Sequence, residues 1–372
     1  MTKTIFESDV PTSTSVDAPQ HAPQPVQSRL RVNNFDGLRL IFAAMVVVFH
    51  VALLSQAPQL DWLYRYVSSG FAVQAFFVVS GFLVTMSFDN TTSLVSYAKK
   101  RIFRIAPAYI VVILVAAFAL VAISTLSPGQ YFADPRWRSY VASNLMLSNF
   151  RQPTLPGVFT NNFEPAVNGS LWTIKLEVMF YCLVPFIVWA SRRFGYKPVV
   201  AALFVFSILW HGAFAYYADA HNSDLAARFA KQLPGQLAFF AGGTFAYYRT
   251  RDGLPPPAAW MVVCAVAGYA LTQGMVFLVL APICVTLIVY WASIRVPQLW
   301  SAKRSGDLSY GLYLYHFPIV QVLIALGAFK AAPIASLFAV CGLAFAAALV
   351  SWHVIEKNAL RFAHSRTTAP RV

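Results

Sequence analysis

An arginine and a histidine eleven positions apart, Arg39 and His50, stand in the run N-N-F-D-G-L-R-L-I-F-A-A-M-V-V-V-F-H. At about 100° per helical residue they share one face, about 16 Å apart along the axis. A guanidinium at one end of that face can hold an anion, and a neutral imidazole at the other can take a proton near neutral pH. Asp36, one turn before Arg39, is positioned to hold it by an i,i+3 contact. Arg101 and Arg104, in S-Y-A-K-K-R-I-F-R, lie one turn apart and suit bidentate capture of phosphate. In N-G-S-L-W-T-I-K-L-E-V-M-F-Y, Ser170, Thr173, Glu177 and Tyr181 form one helical stripe. In G-D-L-S-Y-G-L-Y-L-Y-H-F-P, Ser309, Tyr313 and His316 form another, and Pro318 frees the carbonyl of Leu314. Structural readings compete throughout: a packing histidine, a snorkelling or lipid-anchoring arginine, a glutamate paired to a neighbouring helix.

These residues lie in a chain of 372 residues that is 58% apolar and 11% charged. Soluble chains run at roughly 45–50% and about 25%, so a water-soluble globule is excluded. The apolar runs predict an all-α, polytopic integral membrane protein of about ten transmembrane helices, near 37–55, 70–88, 107–126, 170–190, 198–217, 233–248, 258–273, 275–293, 308–328 and 333–355. The 258–293 stretch reads either as two spans or as one re-entrant element. Residues 1–30 read as a disordered cytoplasmic tail, 31–356 as the membrane-embedded domain and 357–372 as a basic cytoplasmic tail, with no soluble domain expected after the tenth span. Of the 28 Lys and Arg, 20 fall on the side of the termini, 7 on the other, and Lys175 lies within a span. That bias puts both termini in the cytoplasm and the large 127–169 loop outside. The net charge of +14 is shared among short inner segments with no continuous basic stripe, so no nucleic acid is expected as a partner. The four cysteines sit in apolar runs without metal-ligand spacing, and no metal site is expected.

Together the charged and polar landmarks resemble the acyltransferase 3 family of integral membrane acyltransferases, from about Asn33 to Glu356. Arg39 and His50 match the family's Arg-x10-His, Ser80-Gly81-Phe82 its S-G-F, and Arg101-Ile102-Phe103-Arg104 its R-x-x-R. Ser170-Leu171-Trp172 with Glu177, Ser309-Tyr310 through Tyr313, Leu314 and His316, and Glu356 look like the remaining landmarks. Lys357-Asn358 stands where many relatives carry Pro. The resemblance implies O-acylation, usually O-acetylation, of hydroxyls on lipopolysaccharide, exopolysaccharide or similar glycans in the bacterial inner membrane. It implies cytoplasmic acyl-CoA, probed as acetyl-CoA, as co-substrate, with no tightly bound cofactor. On that reading Arg39, Arg101 and Arg104 bind the donor phosphates, the pantetheine arm follows the first helix, and His50 is the general base. Asp36 orients Arg39. Glu177 and His316 either hold the acceptor sugar or orient His50, and Ser170, Trp172 and Tyr313 contact substrate.

A multi-span transporter of a small polar or anionic solute is the rival from another class. It predicts internal repeats, whereas the His and Arg positions do not recur between halves. A scaffold without chemistry leaves the intramembrane Glu and His without purpose. Acylation of a small natural product is the alternative within the same chemistry.

Overall fold

Ten principal helices fall at the ten apolar runs, and among the described residues there is no strand. They are α1 (Phe35–Ser55), α2 (Ser69–Asp89), α3 (Leu94–Ala119), α4 (Trp172–Phe194), α5 (Tyr196–His221), α6 (Leu233–Arg251), α7 (Ala259–Leu271), α8 (Gly274–Arg295), α9 (Ser309–Ala325) and α10 (Pro333–Ser351). This computed structural model describes residues 33–91, 93–299, 301 and 306–365. The expected tail 1–30 and the cations Lys303, Arg304, Arg366 and Arg371 lie outside the described residues.

Seven helical segments are long and apolar enough to cross a membrane. They contain α1 to α5, α8 and α10. The other three differ for physical reasons. At 13 residues, α7 reaches only about 20 Å, short of a hydrocarbon core of about 30 Å. Between α7 and α8, Gly274 has φ +59° and allows the turn, so 258–293 is two helices. α9 is as apolar as the spans but at 17 residues reaches only about 26 Å, and α6 is the less apolar one, buried on nearly every side from Gly235 to Thr250. Helices shielded from lipid by other helices need less hydrophobicity and can carry the polar side chains that chemistry requires.

The expected start of the third span at residue 107 is corrected to Leu94. Ser93 caps this helix through the Ser96 amide, and Pro107 sits inside it. The basic run 99–104 is therefore a helical turn that extends from the apolar part of α3, and Arg101 and Arg104 are helical residues. Lys357–Ser365, expected as part of a tail, is also helical, and Phe362 packs on Phe103 with ring centroids 5.7 Å apart.

Close approach of α2 and α6 fixes the centre of the bundle. A Cβ on Gly81 would stand 2.1 Å from the Phe240 carbonyl oxygen, and one on Gly243 would stand 1.9 Å from that of Val78. Thr85 and Thr244 hydroxyls meet at 3.0 Å across the same contact. Gly243→Ala is expected to push the helices apart and cost about 1–3 kcal/mol of overpacking. The check is a thermal midpoint in detergent, which falls if the contact is as tight as described and stays level if the helices accommodate the methyl.

Candidate active site

His50, in the last third of α1, and His316, at the middle of α9, are brought together, with His50 Nδ1 2.9 Å from His316 Nε2. The rings lie nearly parallel, and Phe317 closes one side of His50 edge-on. His316 is fully buried. Its Nδ1 is 2.8 Å from the Tyr313 carbonyl, which can only accept, so Nδ1 carries the proton. A neutral His316 therefore offers Nε2 as an acceptor, 3.3 Å from Ser170 Oγ. His50 then donates from Nδ1, and its own Nε2 is left with a free lone pair.

The segment before α4 is strapped to α9 and delivers Ser170 to this pair. Pro318 leaves the Leu314 carbonyl without its helical donor, as the sequence implies, and Asn168 Nδ2 takes that place at 2.9 Å. Asn168 Oδ1 in turn accepts from the Ser170 amide. Gln321, fully buried, donates to the Glu164 and Ala166 carbonyls and accepts from Asn162. Neither Asn168 nor Gln321 stands out in the sequence, because an amide has no spacing rule. The orphaned carbonyl before Pro318 is the signal that could have found Asn168.

At the other end of the bundle, Arg39 and Arg104 both bind Asp307 Oδ2, and Arg104 also reaches Glu356 Oε2 at 3.3 Å. Asp307, not singled out in the sequence, is a carboxylate that holds Arg39 from outside its own helix. Ser309 donates to Asp307 Oδ1 at 2.6 Å, and Ser351 donates to Glu356 Oε1 at 2.9 Å. A turn of π-helix, Trp352–Glu356, follows α10 and carries Glu356 into this network. Burial opposes ionisation of Asp307, but Arg104 and Arg39 hold its carboxyl well below the usual carboxylate range. Two guanidiniums and two carboxylates sum to zero, so this quartet is an internally compensated clamp. Asp307→Asn is expected to cost about 3–5 kcal/mol, because it strands the guanidiniums in a largely buried site. Chemical denaturation of the purified variant measures this, and an unchanged midpoint removes the clamp.

A cavity of about 440 Å³ opens beside the quartet. Arg39, Lys100, Arg101 and Arg104 border its mouth, Glu177 and Tyr181 its flank, and Val73, Phe76, Thr173 and Tyr313 its inner end. Arg101 differs from its two arginine neighbours: among the described residues no carboxylate pairs it. It donates to Ser87 Oγ at 3.2 Å, faces the rings of Tyr181 and Tyr97, and has a buried Nε without a hydrogen-bond partner. Lys100 is also unpaired with any carboxylate there. The Glu177 carboxylate accepts from the Tyr181 hydroxyl.

Several sequence expectations are redistributed by this geometry. His50, His316 and Ser170 form one site. Arg39, Arg101, Arg104, Glu177 and Tyr313 line the cavity, and neither histidine does. The lining of this cavity thus stops short of His50. Glu177 lies two helical turns from Ser170 and bonds Tyr181, not a histidine. Trp172 is half-buried against the hydrophobic core, outside the cavity lining.

Residues 32–353 match the acyltransferase domain of the acyltransferase 3 family. An O-acetyl transferase of Shigella phage Sf6 is 30% identical over 334 residues, covering 88% of this chain and 96% of that protein. Nodulation protein 10 of Rhizobium leguminosarum bv. viciae is 27% identical, covering 88% of this chain and 93% of its own. The O-acetyltransferase OatA of Staphylococcus aureus is 24% identical over 77% of this chain and 50% of its own length. No solved structure matches.

Proposed function

Since the chain belongs to the acyltransferase 3 family and is an integral membrane acyltransferase, we propose that it is an O-acetyltransferase acting from cytoplasmic acyl-CoA onto a hydroxyl of an exported or cell-surface carbohydrate. The single observation that carries the reading is the His50–His316–Ser170 arrangement, in which His50 Nε2 keeps a lone pair. In the proposed reaction this nitrogen takes the proton of the acceptor hydroxyl while the oxygen attacks the thioester carbonyl carbon. The new C–O bond forms, the C–S bond breaks, and the thiolate recovers the proton from His50. His316 aligns the base through the hydrogen bond from His50 Nδ1, and Ser170 Oγ lies 3.3 Å from the same His316 nitrogen.

Donor binding at the basic end fits the charge distribution. Lys100 and Arg101 are the cations at the cavity mouth not already neutralised, so the donor phosphates fall to them, with Arg39 and Arg104 lending the frame. The 20-to-7 bias of Lys and Arg supports a cytoplasmic placement of that end and of both termini, as expected for a protein of the bacterial inner membrane. At the loop end, Trp62, Tyr66, Phe150 and Phe163 are exposed rings on which a sugar can stack, although interfacial anchoring also favours such rings.

Purified protein mixed with acetyl-CoA and a set of bacterial glycans is expected to release CoA and leave acetyl esters on a sugar. Esters appearing on small natural products alone would transfer the proposal to that acceptor class. Solute uptake into liposomes without any acyl transfer would overturn it.

A further inference from the structure

One aromatic ring touches both the cavity and the histidine pair. Tyr313 lines the cavity, and its centroid lies 5.8 Å from that of His316, one helical turn further along α9. Phe76 of α2 meets the same ring edge-on at 6.0 Å. The ring is held by its hydroxyl. The Thr173 hydroxyl lies 3.2 Å from the Ser170 carbonyl and 2.6 Å from the Tyr313 hydroxyl, and either hydroxyl can donate to the other. Tyr313 also lies 3.2 Å from the Ser170 carbonyl. Ser170, whose carbonyl helps hold the ring, is also the residue whose hydroxyl touches His316.

We propose that Tyr313 is the residue that makes the reaction select the acceptor hydroxyl over water: its latched ring is a movable partition between the donor cavity and the histidine pair. This rests on the reading of the cavity as the donor site and of His50 as the base. The reasoning is chemical. A base that deprotonates a sugar hydroxyl also deprotonates water, and a cavity open at the basic end admits water. A permanent opening would bring water, thioester and His50 together. Water oxygen would then attack the carbonyl carbon, the C–S bond would break, and acetate and CoA would leave with the donor wasted. A ring on the same helix as His316 can open by a side-chain rotation without moving the bundle. Its return to Thr173 and Ser170 restores the barrier after transfer.

The test uses the full-length protein in liposomes, with acetyl-CoA as the probe and no acceptor present. Wild type is expected to release CoA slowly. Tyr313→Phe, which lacks the latching hydroxyl, should release CoA about five- to tenfold faster, the change expected when a buried hydrogen bond is lost, and Thr173→Val, which leaves Tyr313 only the Ser170 carbonyl, should release it faster by a smaller factor. The double variant should add little, because both changes open one latch. Adding His50→Ala should abolish the increase, which places the wasted turnover at the histidine pair. Either single variant suffices if the other does not fold. Variants that bind CoA like wild type but release it no faster would overturn the partition while leaving the donor site intact. Failure of wild type itself to bind CoA would remove the donor reading, and the partition with it.

Discussion

His50→Ala should reduce acyl transfer by about 10²- to 10⁴-fold, the contribution of a positioned general base, while CoA binding stays at the wild-type level. The two effects separate because His50 does not line the donor cavity. His316→Ala is expected to have a smaller effect on the same step, since it removes the acceptor that orients His50 Nδ1 but not the reacting nitrogen. Turnover and equilibrium binding of CoA, measured on the same preparations, decide this. A His50→Ala protein that transfers acetyl at the wild-type rate would exclude His50 as base, and one that loses CoA binding would make it part of the donor site.

The second large effect falls on Arg101. Its guanidinium has no carboxylate partner and its Nε is an unused buried donor in the cavity wall. Charge-assisted hydrogen bonds contribute about 1.5–3 kcal/mol, so Arg101→Ala should weaken CoA binding roughly 10- to 100-fold. Arg101→Lys keeps the charge but loses the planar fork, and should recover only part of that loss. Arg39→Ala should lower the thermal midpoint more than it lowers CoA affinity, because Arg39 is already committed to Asp307. Calorimetric titration with CoA tests the ranking. The reverse order, with Arg39 dominant for binding and Arg101 silent, would move the phosphates to the quartet.

The all-helical architecture was legible because runs of apolar residues have few other uses, and the helix positions follow them closely. The start of α3 was not, since Lys99 to Arg104 followed by Pro107 has the composition of a loop border. Only capping by Ser93 and packing of the following turns make it helix. Helical spacing put Arg39 and His50 on one helix, and the structure adds that His50 meets His316. Spacing says nothing about what stands between two groups on one face, so the Tyr313 partition was invisible. The Asp307 contact was invisible for a related reason: a local i,i+3 rule cannot anticipate a carboxylate 268 residues away that binds two guanidiniums at once. The close packing at Gly81 and Gly243 was readable because small residues within an apolar helix have few purposes besides letting another helix approach.

The account depends most on the two ends of the bundle doing different work, donor loading at the cation-rich end and transfer at the histidine pair. The direct measurement is sidedness in proteoliposomes of known orientation, with labelled acetyl-CoA confined to one face and an accepting glycan to the other. Acetyl ester should form only when acetyl-CoA faces Lys100 and Arg101 and the glycan faces the loop end. Ester formation with both reactants confined to one face, or with their faces exchanged, would contradict the account.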